Sequence, residues 1–202
     1  MEWDRIADDQ TLENVKNIME KNGIKVTIAE SAEDAKKEVY DSIPEGSEIM
    51  EASSITLDEM GMVGELLEST KYKSLRKMMY SINDKAERDK YRKSVLAHQY
   101  AVGSAHAVTE SGQIVVASAS GSQIGSYAYG ADHVILVIGA QKIVKDLDSA
   151  FRRINEYVFP LEDKRMHEKM GMGSVIAKTL IISKEIVPGR TKVIFVKQKL
   201  GF

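Results

Sequence analysis

The chain has 202 residues, 43% hydrophobic and 29% charged, which gives it enough apolar material to bury a core. A formal net charge of −2 provides no basic footprint for nucleic acid, so no nucleic-acid partner is expected. Cysteine is absent, which removes disulfides, thiolate metal sites, cysteine nucleophiles and iron–sulfur ligation together.

The opening residues, MEWDRIADDQ, are acidic and polar where a signal peptide needs a basic start and an apolar run. No later stretch approaches the length of a membrane span. A soluble, cytoplasmic chain with no membrane contact is the expectation. From Thr11 to Asn22, Leu12, Val15, Ile18 and Met19 recur at spacings of three and four, the stripe of an amphipathic helix that Gly23 ends. Ile24–Ile28 reads as a short strand, and Ser31 with Asp34 caps a helix running to about Ile43, closing an N-terminal helix–strand–helix unit over residues 1–45.

Glu48–Glu51 is a candidate strand leading into Ala52-Ser53-Ser54-Ile55-Thr56, and Thr56 with Glu59 fits the capping box of a helix continuing to about Ser69. Ser53, Ser54 and Thr56, beside exposed helix N–H groups, suit an anion. A helix cap and nothing more is the competing reading. Residues 71–97 are basic and polar, but Glu87 and Asp89 interrupt the lysines and arginines, which favours an exposed helix face over a nucleic-acid patch. Met78, Met79, Tyr80 and Ile82 serve there either as core or as a helical lid over a ligand crevice.

The stretch from Ala101 to Val144 organises the chain. Ile114–Val116 and Val134–Ile138 are β-branched, apolar on consecutive positions and too short for helices, so both read as buried strands of one mainly parallel sheet. Between them lies Ala117–Ser126, where Ser118, Ser120, Ser122 and Ser126 bring hydroxyls and Gly121 and Gly125 permit positive φ. A phosphate or carboxylate would suit this loop, and a tight connection that binds nothing is the alternative. Thr109-Glu110-Ser111-Gly112 sets a carboxylate at a turn. Glu110 is expected to line the same crevice as the serine loops and Lys142, where it either attacks an acyl group or moves a proton, or simply accepts backbone N–H bonds. Of the four histidines no pair has the spacing of a zinc site, so no metal is expected; His106, near the Glu110 turn, is kept as an acid–base or ligand-contacting group. Lys142, just past Val134–Ile138, is placed to meet a phosphate as a point charge, unless it is solvated. Asp146–Tyr157 then forms a helix with Leu147, Ala150, Phe151 and Ile154 on one side, ended by Pro160. Thr179–Ile182 and Lys192–Val196 read as strands separated by Pro188-Gly189, the second well covered.

The order YAVGSAHAVTESGQIVV, a small-residue loop, YGADHVILVIGAQKIV, then DLDSAFRRI and PLEDKR, with the weaker SSITLDEMG upstream, resembles the LUD (lactate-utilisation) domain family, in its small cysteine-free type. The resemblance implies one domain over residues 1–202, an open, mainly parallel α/β sheet with helices on both faces. Such a fold is similar to those of ribose-phosphate isomerases, glucosamine-phosphate deaminases and CoA transferases, where ligands carrying phosphate or CoA lie at the strand edge. Gly103, Ser104 and Gln123 then join Ser53, Ser54, Thr56, Ser118, Ser120, Gly121, Ser122 and Lys142 as candidate ligand-binding residues. Two functions follow from it: a ligand-binding or accessory component of lactate or organic-acid utilisation, working with other lactate-utilisation subunits or as a homo-oligomer, or an enzyme of CoA-transferase-like or sugar-phosphate-isomerase-like type using Glu110. In one class of CoA transferases a resembling turn carries the glutamate nucleophile. The lack of a convincing nucleophile–base–orienter set favours the first function, and a purely structural partner protein is a third class.

Overall fold

Six parallel strands form the central layer of the computed structural model, which describes residues 3–202. In chain order the elements are α1 (Asp9–Lys21), β1 (Lys25–Ala29), α2 (Ala32–Asp41), β2 (Glu48–Glu51), α3 (Ile55–Glu59), α4 (Met62–Glu68), β3 (Lys73–Ser74), α5 (Leu75–Tyr80) and α6 (Lys85–Ser94). There follow β4 (His98–Gly103), β5 (Ala107–Thr109), β6 (Ile114–Ser118), α7 (Ser122–Gly125), β7 (Ala131–Gly139), β8 (Ile143–Val144), α8 (Leu147–Arg153), α9 (Phe159–Met170), β9 (Lys178–Ile182) and β10 (Thr191–Val196). The main sheet has the order β1-β10-β7-β4-β2-β3, and its pairs are all parallel. The apolar run of β10 is buried between β1 and β7, as its composition predicts.

A second sheet, β8-β5-β6-β9, changes one expectation: Ile114–Val116 is buried as predicted, but it belongs to this sheet, antiparallel to β5 and β9, and not to the sheet of Val134–Ile138. A continuous apolar run records burial on both faces, and it carries no information about which sheet supplies the cover. Here Ile114 and Val116 share a core with Val134, Leu136 and Phe195 of the main sheet, while Val115 and Ala117 face Ala150 and Ile154 beyond them. The second sheet and α1 therefore cover one face of the main sheet. Residues of α2, α3 and α4 cover the other, packing Ala35, Val39, Leu57, Met62 and Leu66 against Ile49, Val102, Ile135 and Ile194.

Local signals hold where no tertiary contact competes with them. Ser31 caps α2 by accepting from the Asp34 N–H, and α1 buries Leu12, Val15 and Met19. The Thr56–Glu59 capping box does not form: Ser54 occupies the cap position, Thr56 Oγ1 turns inward to the Leu200 carbonyl and Lys142, and Glu59 accepts from the Gly201 N–H. Gly61, at φ 69°, then splits the expected single helix into α3 and α4. Gly121 takes the positive φ foreseen for it, at 84°, whereas Gly125 is helical at φ −60°. Pro160 does not end the helix begun at Leu147. A π-helical turn over Ile154–Val158 precedes it, and the helix runs on through the proline into α9, with Val158 and Phe159 both helical and the Phe159 N–H donating to the Ile154 carbonyl. Ahead of that turn α8 buries Ala150 and Arg153, the latter at 0% exposure, while Phe151 is 38% exposed.

Candidate functional site

Parallel strands that stop together leave a crevice at their C-terminal ends, and a cavity of about 570 Å³ occupies that position. Ser53 and Ser54 follow β2, Ser104 and His106 follow β4, Lys142 follows β7, and Ser118, Ser120, Ser122 and Gln123 come from the end of β6 and the turn into α7. With Thr56 of α3, all of them line this one cavity. The Ser53 and Ser120 loops, far apart in the chain, thus share a site.

Two predicted glycines shape the cavity from behind. A Cβ on Gly103 would stand 1.7 Å from Tyr127 Oη, so the glycine lets that phenol reach the wall. A Cβ on Gly121 would meet Lys178 Cδ at 2.7 Å in addition to its positive φ. Ser118 Oγ accepts from the Gly121 N–H and holds the turn closed. Glu110 lies elsewhere. It is exposed on the turn between β5 and β6, its N–H donating to the Val144 carbonyl at 2.8 Å, and the neighbouring Gly112 packs against Ile18 and Met19 of α1. His106 and Ser118 stand at the cavity end of this hairpin and Glu110 at the other, so sequence proximity to His106 did not bring the carboxylate into the crevice.

Lys142 is the centre of the floor. It is 2% exposed, and its Nζ donates to Thr56 Oγ1 at 2.8 Å and Ser104 Oγ at 3.3 Å. Burial, with the Arg153 guanidinium adding to it and the Glu59 carboxylate opposing both, pushes its ammonium down to about 7. Beside it, His106 Nδ1 accepts the Ala117 N–H at 3.1 Å, which leaves the ring proton on Nε2. Burial, with Lys142 and Arg153 nearby, lowers that imidazole to about 3, so the ring is neutral at physiological pH.

Several contributors were not visible in the sequence. Arg153 donates to the His106 carbonyl and leaves Nε and Nη2 without partners. Arg76 of α5 reaches the cavity and donates from Nη2 to Ser53 Oγ at 2.7 Å. It sits in a basic run whose periodicity marks it as surface. Close by, burial raises the Glu51 carboxyl to about 7. Arg165 and Lys169 of α9 also line the cavity, with Arg165 engaged by Glu162 through two bonds of 2.7 Å. Of residues 71–97 only Arg76 lines it. His98 lies at the start of β4, His133 stacks on Tyr100 and His167 is exposed on α9. Among the described residues no three His, Asp or Glu side chains converge as a metal site, and no helix is long and apolar enough to cross a membrane.

Comparison with known proteins agrees with the fold. The crystal structure of a DUF162 family protein from Deinococcus radiodurans is similar to this chain over 95% of its length and 99% of the other, with a TM-score of 0.53 at 10% identity, a likeness of fold. No curated protein matches the chain. The family model described as LUD domain matches residues 12–196, which takes in both sheets and every strand that frames the cavity. The chain therefore belongs to the LUD domain family.

Proposed function

We propose that this LUD-domain protein binds a small anionic metabolite, bearing phosphate, carboxylate or CoA, in the cavity at the strand ends, as a ligand-binding or accessory component of lactate or organic-acid utilisation. The family name alone supplies the lactate connection, and other lactate-utilisation subunits, a second copy of the chain and a cytoplasmic setting belong to the same proposal. The observation that carries it is Lys142, a buried cation whose hydrogen-bond partners among the described residues are two hydroxyls. A buried charge without a counter-ion is costly, and an anion entering the cavity supplies one. Around it Arg76, Arg165 and Lys169 face Asp58 and Glu162, and the serine hydroxyls add donors. Glu110, exposed outside this cavity, lends no support to chemistry at the site.

Titration calorimetry of inorganic phosphate, CoA and lactate into the wild-type chain tests this. At least one binds, and near pH 8 binding takes up protons, because the bound anion raises the Lys142 ammonium from about 7. Affinity therefore falls as pH climbs above that value. Lys142→Met weakens binding by about 10- to 100-fold, the scale of one charge-assisted hydrogen bond. Unchanged affinity in that variant, or no binding of the three anions at millimolar concentration, rejects the proposal.

A further inference from the structure

Ser104 follows immediately on β4, a strand paired on both sides by β2 and β7, so the sheet fixes its position. Its backbone lies beside Tyr127 Oη, and its side chain opens on the cavity. Ser104 Oγ, Thr56 Oγ1 and Lys142 Nζ form a closed triangle with sides of 3.2, 2.8 and 3.3 Å. Within it Thr56 donates to the Leu200 carbonyl and accepts from Lys142, which fixes the amine. Ser104 Oγ accepts from Lys142 and donates to Thr56 Oγ1 or, at 3.3 Å, to the Ala105 carbonyl; once Lys142 has lost its proton, the amine lone pair 3.3 Å away can take the serine proton. A serine held against a buried lysine that a third hydroxyl orients is a nucleophile–base–orienter set, the arrangement a lysine base requires in place of histidine. His106 completes it, because Nδ1 is occupied by the Ala117 N–H and Nε2–H remains as the ring's unused donor at the cavity wall.

We propose that Ser104 is a nucleophile with Lys142 as its general base, hydrolysing a thioester or ester whose acyl or leaving group carries an anion held by the other cations of the cavity, Arg76, Arg165 and Lys169, which leaves Lys142 free to act as the base. The identity of that substrate rests on the anion-binding reading; the nucleophile does not. Ser104 Oγ bonds the acyl carbon as its proton passes to Lys142 Nζ, and His106 Nε2–H donates to the developing oxyanion. The C–S or C–O bond breaks and Lys142 returns the proton to the departing thiolate or alkoxide. Water then attacks the acyl-serine, delivering one proton through Lys142 to Ser104 Oγ and releasing the carboxylic acid. The sum is ester or thioester plus water giving acid plus alcohol or thiol. Burial brings Lys142 near neutrality, so the free base that takes the serine proton is populated around pH 7.

A fluorophosphonate probe incubated with the full chain, followed by peptide mass spectrometry, tests the assignment without any anionic ligand. The expected result is one adduct on Ser104, absent in Ser104→Ala, formed about 100-fold more slowly in Lys142→Met, and rising in the wild type with pH through a midpoint near 7. The wild-type pH profile stands even if a variant misfolds, which thermal melting reports. No adduct, an adduct on another serine, a wild-type labelling rate in folded Lys142→Met, or a flat pH profile overturns it. Labelling at Ser104 in a protein that binds none of the three anions keeps the nucleophile and removes the anion-binding proposal, whereas binding without labelling does the reverse.

Discussion

Lys142 concentrates the physical chemistry of the site in one residue. Its ammonium lies well below its ordinary 10.5 in the folded state, at about 7. Between those values the unfolded chain binds a proton that the folded chain does not, so stability from this group rises with pH by up to about 1.4 kcal/mol per unit. Below the folded value the lysine is charged in both states, and the folded chain carries the full penalty of burying it. Lys142→Met, which removes that penalty, is expected to unfold at higher denaturant than the wild type at pH 7. The difference narrows steadily towards pH 10. Equilibrium urea unfolding across that range measures it, and a difference that widens with pH contradicts the burial account.

The α8–α9 region shows how one inserted turn reorganises a helix. Asp146 caps α8 as a local signal should, yet the π-helical turn at Ile154–Val158 shifts the phase of everything after it. Arg153, the last residue of α8 before that turn, points inward to the His106 carbonyl, and after it Glu162, Arg165 and Lys169 of α9 come round to the cavity wall. Pro160 follows directly on that turn, where the return from i→i−5 to i→i−4 bonding skips a carbonyl, so a residue without an N–H fits there. Pro160→Ala is therefore expected to change stability by less than about 1 kcal/mol in either direction. A loss above about 2 kcal/mol in thermal or urea unfolding would show that the proline sets the turn itself.

Across the whole molecule, a chain of net charge −2 holds buried Lys142 and Arg153 near the strand ends and lines the cavity there with further cations. Its rigidity is uneven. β7 lies between β4 and β10 with six of its residues at 0 to 2% exposure, whereas α6 buries no residue. Amide hydrogen exchange should reflect this, with β7 and β10 opening only on global unfolding and α6 exchanging through local opening. Protection of α6 equal to that of β7 would mean that it has a partner surface beyond this chain.

Periodicity and caps were sufficient for α1, β1, α2 and β10, and Ser53, Ser118 and Lys142 were legible as candidate site residues from their places after strands, because these signals are local; Ser104 entered only through the family resemblance. Partition into two sheets was not legible, since Ile114–Val116 would show the same apolar run in either sheet. The Thr56 cap failed for a different reason: a buried amine competes for the same oxygen, and its need for an acceptor outweighs one helix-end bond. Glu110 and His106 are four positions apart, yet extended chain carries them to opposite ends of a hairpin, whereas Lys142, Thr56 and Ser104 converge from three separate segments. By itself the sequence determined the residue types available to the crevice; which of them meet, and which are stripped of water so that their acidity changes, was decided by the tertiary structure, because contact and desolvation depend on what lies across the sheet.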